Sequence, residues 1–162
     1  MLFRALLAFL ALPVVVAGLL PWYLSGLDGG RMEGTVLGWP ILLAGVGVLL
    51  VCTRDFYAAG KGTLAPWDPP KKLVIIGLYR FMRNPMYAGV LGCVAGWSLI
   101  AGSPLLAVYT LTLAIGFHLR VVFYEEPTLA RHFGDEWERY RAAVNRWLPR
   151  PRSNSDSPSS ST

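Results

Sequence analysis

The chain has 162 residues, 54% of them apolar and only 15% charged, with a net charge of +5. Soluble domains carry about 25% charged residues, so this chain has too little polar surface to be one. Bulk disorder is excluded by the hydrophobicity. A disulfide scaffold is excluded because the two cysteines, Cys52 and Cys93, stand in long apolar runs.

No charged residue occurs from Ala5 to Leu27, from Gly34 to Thr53, or between Arg83 and Arg120. A spanning helix needs roughly 17–25 apolar residues. The first two runs predict one helix each. The third has room for two, broken at the turn signal Gly102-Ser103-Pro104. The expected fold is therefore all-α, a polytopic membrane protein with four spans near 5–24, 35–53, 85–102 and 104–124. Val15-Val16-Ala17 loosely resembles a signal-peptide cleavage site. The run is long for a signal peptide, however, and Pro21-Trp22-Tyr23 reads as an interfacial anchor.

Basic residues set the orientation. Arg54, Lys61, Lys71, Lys72, Arg80 and Arg83 fill the 54–83 loop, and Arg131, Arg139, Arg141, Arg146, Arg150 and Arg152 follow the last span. The 25–34 loop has only Arg31. The positive-inside rule then puts both termini and the 54–83 loop in the cytoplasm, at the inner membrane if the cell is bacterial. Topology accounts for the basic charge, so no nucleic-acid partner is expected.

In the 54–83 loop the prolines of Ala65-Pro66-Trp67-Asp68-Pro69-Pro70 forbid a continuous helix. Leu73 to Ile76 is a short apolar run suited to the interface. Beyond Tyr124, a capping box at Asp135 and Glu138 opens an expected amphipathic helix. Trp137, Tyr140, Val144 and Trp147 mark its apolar face, laid on the membrane or against the loop. The membrane domain is read as 1–149, followed by a disordered Ser-rich tail over 150–162.

Several positions could carry chemistry. Asn84-Pro85 has the pattern of a helix start. The same geometry presents free N–H groups and a positive dipole end to an anion, with Arg83 adjacent and Tyr79 and Tyr87 flanking. Gly89, Gly92 and Gly96 share one helix face, for close packing or for the approach of a ligand; Gly45 and Gly47 read as packing residues. Glu125-Glu126 follows an apolar stretch and precedes Pro127, which predicts a helix end or kink. Carboxylates there oppose the helix dipole, and a cationic ligand would compensate them. Arg120 lies inside the hydrophobic run, as a functional residue or as a snorkelling one. His118 reads as a packed helix residue, and nothing has metal-ligand spacing.

Gly77-Leu78-Tyr79-Arg80-Phe81-Met82-Arg83-Asn84-Pro85-Met86-Tyr87-Ala88-Gly89 is similar to the G-x-Y-x-x-x-R-[HN]-P-x-Y-x-G motif of isoprenylcysteine carboxyl methyltransferases and related phospholipid methyltransferases. Glu125-Glu126 matches that family's paired glutamates. Phe133-Gly134-Asp135-Glu136-Trp137, Tyr140, Val144, Arg146 and Pro149 resemble its ending. The resemblance spans about 73–149. It implies a helical membrane enzyme that uses S-adenosylmethionine and methylates a lipophilic acceptor, either a prenylcysteine-type carboxylate or a phospholipid-type amine. Carried over, Tyr79, Arg83, Asn84, Pro85, Tyr87, Gly89, Glu125, Glu126, Tyr140 and Arg146 would hold the cofactor, and Arg120 and Glu125 would be catalytic. Asn84 stands where many members have His, which keeps a hydrogen-bonding group and removes a titratable one. On this reading Glu126→Gln weakens cofactor binding and leaves folding intact. The alternative is a non-enzymatic membrane scaffold or small transporter subunit. It would need a polar pathway, and the first three expected spans offer almost no polar residues to line one.

Overall fold

In the computed structural model, residues 14–28, 34–59 and 73–149 are described. Residues 5–13 of the first expected span, the Pro-rich stretch 65–70 and the Ser-rich tail lie outside them. Helix α1 (Val15–Leu27) opens with a π-turn. It is followed by α2 (Gly38–Ala59), α3 (Pro85–Ala101), α4 (Pro104–Phe133) and α5 (Asp135–Ala143). Of these, α2 over Gly38–Asp55 and α4 are long and apolar enough to cross a membrane, while α1 and α3 are shorter apolar helices.

Helix α3 is central. Val90, Cys93 and Val94 are buried against Ala17 of α1, Leu42 and Leu49 of α2, and Tyr109, Leu113 and Phe117 of α4. The most extensive contact is between α2 and α3, where small residues bring the backbones together. A Cβ on Gly96 would meet the Leu42 nitrogen at 2.6 Å, and one on Gly45 would meet the Cys93 nitrogen at 2.6 Å. Gly92 and Gly89 face α2 as well, with Gly45 and Leu49 as neighbours. Gly47, read as a packing residue, instead has open space around it. Gly96→Ala is therefore expected to destabilise the fold by about 1–3 kcal/mol through overpacking. Gly47→Ala should stabilise it by roughly 0.5–1 kcal/mol, because Ala is the better helix former. Thermal unfolding in detergent checks both signs.

At one pole Gly102 ends α3 in the left-handed conformation (φ 61°) and Ser103 caps α4. The Ser103 hydroxyl accepts from Leu106 N–H at 3.1 Å and donates to the Asp28 carboxylate, which also accepts from Leu105 N–H at 3.3 Å. A carboxylate there complements the helix dipole and ties α1 to α4. Nearby, Gly34 and Thr35 N–H groups satisfy the Ile100 and Leu99 carbonyls that end α3.

The outward faces are apolar. Leu43, Val46 and Leu50 on α2, and Val108, Leu111, Ile115 and Leu119 on α4, are exposed at helical spacing. Such continuous stripes are uncommon on soluble monomers and suit a lipid environment.

At the other pole the structure departs from the sequence reading. Helix α4 does not stop at Glu125-Glu126-Pro127. It widens into a π-turn over Val121–Glu125, where Glu126 N–H donates to Val121 C=O, and runs on to Phe133. Proline inside a regular α-helix clashes with the carbonyl four residues earlier. The wider turn relieves that clash at Pro127. The capping box does not form either. Gly134 (φ 48°) takes the N-cap position with no side-chain bond, so Asp135 already lies inside α5. The helix ends at Ala143; Val144 is extended, and Trp147 lies beyond the helix.

Candidate active site

The site is assembled where α2 ends, α3 begins and α4 widens. A 3-10 turn over Gly77–Arg80 leads into α3. Gly77 is required there on two counts: its φ is +54°, and a Cβ would collide with the Asp55 carboxylate. Pro85 occupies the first helical position of α3 as expected, but the Asn84 side chain makes no cap bond. Its amide instead donates to the Arg146 carbonyl at 3.2 Å.

The segment after α5 lies along this turn. Met82 and Asn145 pair as a short parallel bridge, and Arg83 N–H donates to the Asn145 carbonyl at 2.9 Å. The Tyr140 hydroxyl donates to the Tyr79 carbonyl at 2.7 Å. Beneath, Trp137, Tyr140 and Val144 are buried against Leu73, Ile75, Leu129 and Phe133. The apolar run 73–76 thus serves α5 rather than lying alone at the interface. Trp147, expected on the α5 face, donates through Nε1 to His118 Nδ1 at 3.2 Å.

The two glutamates have separate partners. Glu126 accepts from Arg146 twice, Nε to Oε1 at 2.7 Å and Nη2 to Oε2 at 2.8 Å, and pairs with Arg83 Nη1 at 3.1 Å. Arg83 and Glu126 side chains are only 9% and 12% exposed, and Arg83 stacks over the Trp137 ring at 5.5 Å. Burial lowers the Arg83 pKa, opposed by Glu126, and the hydrogen bond to Glu126 raises that of Arg146. Burial also raises Tyr79 and Tyr140, so both phenols stay protonated at neutral pH.

Glu125 belongs to a second set. Tyr87 donates to Glu125 Oε1, and Arg120 Nε donates to the same oxygen at 2.8 Å and to the Tyr87 hydroxyl at 3.1 Å. Tyr87 is stacked on Phe117 at 4.5 Å. In a regular α-helix, residues five apart stand about 140° apart around the axis. The π-turn narrows that angle and brings Arg120 and Glu125 to one face. The compensation that the carboxylates required comes from this chain's own arginines, where the sequence reading assigned it to a ligand.

Of the residues singled out in the sequence, Tyr79, Arg83, Asn84, Tyr140, Arg146 and Glu126 are joined in one network, and Tyr87, Arg120 and Glu125 in the adjoining one. Gly89 faces α2. The Asn145 carbonyl, the Trp137 platform and the Phe117 stack are site features that the sequence reading does not pick out.

Residues 35–136 match the family model for phospholipid methyltransferase. The chain belongs to that family. Members of the phospholipid methyltransferase family use S-adenosylmethionine as methyl donor. Two rice relatives, from Oryza sativa subsp. indica and subsp. japonica, are each named "Probable protein-S-isoprenylcysteine O-methyltransferase". Each is 38% identical over 84 residues, covering 51% of this chain and 44% of the relative. The match thus spans less than half the relatives' length. No solved structure matches the chain.

The side chains of this family member fit the donor's chemistry on one direct observation. Arg83 Nε is buried without a hydrogen-bond acceptor among the described residues, while Nη1 faces Glu126 Oε1 in the 3.1 Å ion pair. A guanidinium with an unspent donor suits a carboxylate such as that of the donor's amino-acid end.

Proposed function

We propose that the chain is an integral membrane methyltransferase that transfers a methyl group from S-adenosylmethionine to a lipophilic acceptor at the cytoplasmic interface. The observation that carries this is the unpartnered Nε of the buried Arg83 guanidinium, set among the residues of the family motif. Four membrane-embedded helices, with the site pole in the cytoplasm, agree with the basic residues gathered there and with the apolar stripes on α2 and α4.

When bound, the donor supplies a sulfonium methyl for in-line displacement. The protein's contribution is positioning and exclusion of water. Arg83 and the start of α3 at Asn84-Pro85 take the donor carboxylate. Tyr79, Tyr140, Glu126 and Arg146 wall the site, held by their mutual bonds, and Gly89 keeps α3 close to α2. Arg120 faces the acceptor. Its Nε is spent on Glu125 and Tyr87 and its side chain is 46% exposed. No hydrogen bond from its Nη groups occurs among the described residues. Two open guanidinium nitrogens at a membrane boundary favour a carboxylate acceptor, with Glu125 and Tyr87 fixing the guanidinium plane.

The test is transfer of radiolabelled methyl from S-adenosylmethionine to a membrane lipid extract by the purified protein. Base-labile label is expected, as for methyl esters. Base-stable label would replace the carboxylate with an amine acceptor, and absence of transferred label in folded protein would sink the enzymatic reading.

A further inference from the structure

His118 and Trp147 belong to neither of the two networks above, yet they join two segments that build the site. Trp147 Nε1 lies 3.2 Å from His118 Nδ1. The rings meet edge to edge, with centroids 6.2 Å apart and planes 29° from parallel. An indole N–H can only donate, so Nδ1 is the acceptor and the imidazole is neutral, with its proton on Nε2. An imidazolium carries N–H on both nitrogens. It would turn a donor toward the indole N–H and a positive charge toward the positive edge of that ring.

What this bond holds is the segment 144–147, a strap laid from the end of α5 across to α4. Its root is fixed, because Val144 is extended and packed with Trp137 and Tyr140. The Asn145 carbonyl then accepts from Arg83 N–H, the Arg146 carbonyl accepts from the Asn84 amide, and the Arg146 side chain grips Glu126. Trp147 makes the last tie, and Leu148 beyond it is 73% exposed. Arginine and carboxylate keep their charges through the neutral range. Histidine alone among these groups changes charge between about pH 5 and 8. Its imidazole is exposed at the site pole, two residues before Arg120. Around it, Arg120 of α4 is committed through Nε to Glu125 and Tyr87, Tyr87 of α3 stacks on Phe117, and Arg146 of the strap is committed to Glu126. Among the described residues no carboxylate lies within ion-pair distance of His118, so no anion replaces the bond when the ring is protonated.

We infer that His118 and Trp147 are positioning residues for the donor site: their bond seats the strap against α4 while His118 is neutral, and acidification releases it. This rests on the methyltransferase reading, which places Arg146 in the wall around the donor, and adds to it a control on how firmly that wall is closed. A strap that has lost its tie to α4 holds Arg146 less firmly against Glu126, and the donor site opens. Donor affinity therefore falls as the pH is lowered through the range in which the imidazole gains its second proton.

The experiment follows the detergent-purified full chain from about pH 8 down to about pH 5 with two readouts. One is the Trp147 indole N–H resonance, assigned by its absence in Trp147→Phe. The other is calorimetric titration with S-adenosylhomocysteine. In the parent the resonance should shift upfield as the bond is lost, and affinity should fall over the same range by about threefold to tenfold, the worth of one hydrogen bond. His118→Asn offers a carbonyl oxygen near the place of Nδ1 that does not titrate, so it should bind the probe with the parent's high-pH affinity throughout. Trp147→Phe keeps a ring and removes the donor, so its affinity should be low and flat with pH. A pH dependence that persists in both variants would belong to another group and overturn the inference. So would a parent resonance that does not move, without any variant, which leaves misfolding of a variant no shelter for it. A probe bound with pH-insensitive affinity while the resonance moves overturns the inference alone. A parent that binds no probe at any pH fails the methyl-donor reading and takes the inference with it.

Discussion

Arg120→Leu is expected to lower kcat by about a hundredfold or more while donor affinity stays within a factor of two. The magnitude is that of removing a preorganised donor aimed at the reacting group. Arg120 meets the criteria: its Nε is fixed by Glu125 Oε1 at 2.8 Å and the Tyr87 hydroxyl at 3.1 Å, which leaves both Nη groups for the acceptor. Arg120→Lys should not restore the rate, because an ammonium cannot hold Glu125 and Tyr87 through one nitrogen and present two others. Glu125→Gln keeps an acceptor for Tyr87 but loses the ion pair, so kcat should fall with a smaller change in KM. Initial rates of methyl transfer, with donor binding measured separately, give the split. Parental turnover by Arg120→Leu would remove Arg120 from the chemistry.

The parts of this molecule legible in the sequence are those that local chemistry dictates. Charge-free runs mark the apolar helices, Gly102-Ser103-Pro104 breaks α3 from α4, and Pro85 starts α3. The order Tyr79, Arg83, Tyr87, Glu125, Glu126, Tyr140, Arg146 could be picked out as a motif, but its division into two networks could not. That division depends on the π-turn at Val121–Glu125, which rotates Glu125 toward Arg120. Pro127 signals a break and does not say whether the helix stops or widens. The pairing of Met82 with Asn145 joins two irregular segments, and neither has a periodicity to reveal it. It depends in turn on Val144 leaving helical geometry, whereas the apolar spacing from Trp137 to Trp147 read as one continuous helix. Asp55 was hidden differently. A single acid at the end of an apolar run reads as a span boundary, and only the approach of Gly77 buries its Oδ2.

The second large effect falls on stability. The sequence reading expected Glu126→Gln to leave folding intact, but the geometry places Glu126 as the shared anion of two arginines, one of them almost wholly buried. Gln keeps the shape and removes the charge, so Arg83 is left without an anion beside it. Breaking a buried pair from one side costs about 3–5 kcal/mol. For a chain of this size that lowers the unfolding midpoint by on the order of 10 °C. Arg146→Met should cost less, because Arg146 is 29% exposed and Arg83 still neutralises Glu126. Arg83→Met combined with Glu126→Gln should recover much of the loss, since an uncharged pair in the same space carries no unmatched charge. Thermal unfolding of these variants, of Arg83→Met alone and of the parent in one detergent closes the cycle. An unchanged midpoint for Glu126→Gln would mean that water reaches Arg83 and that the cluster is not sealed. A fall in the single variant with recovery in the double variant would identify the cost as unpaired charge. It would also explain why donor affinity must be read at a temperature where the variant is folded: Arg83, freed of Glu126, would have the donor carboxylate as its remaining anion.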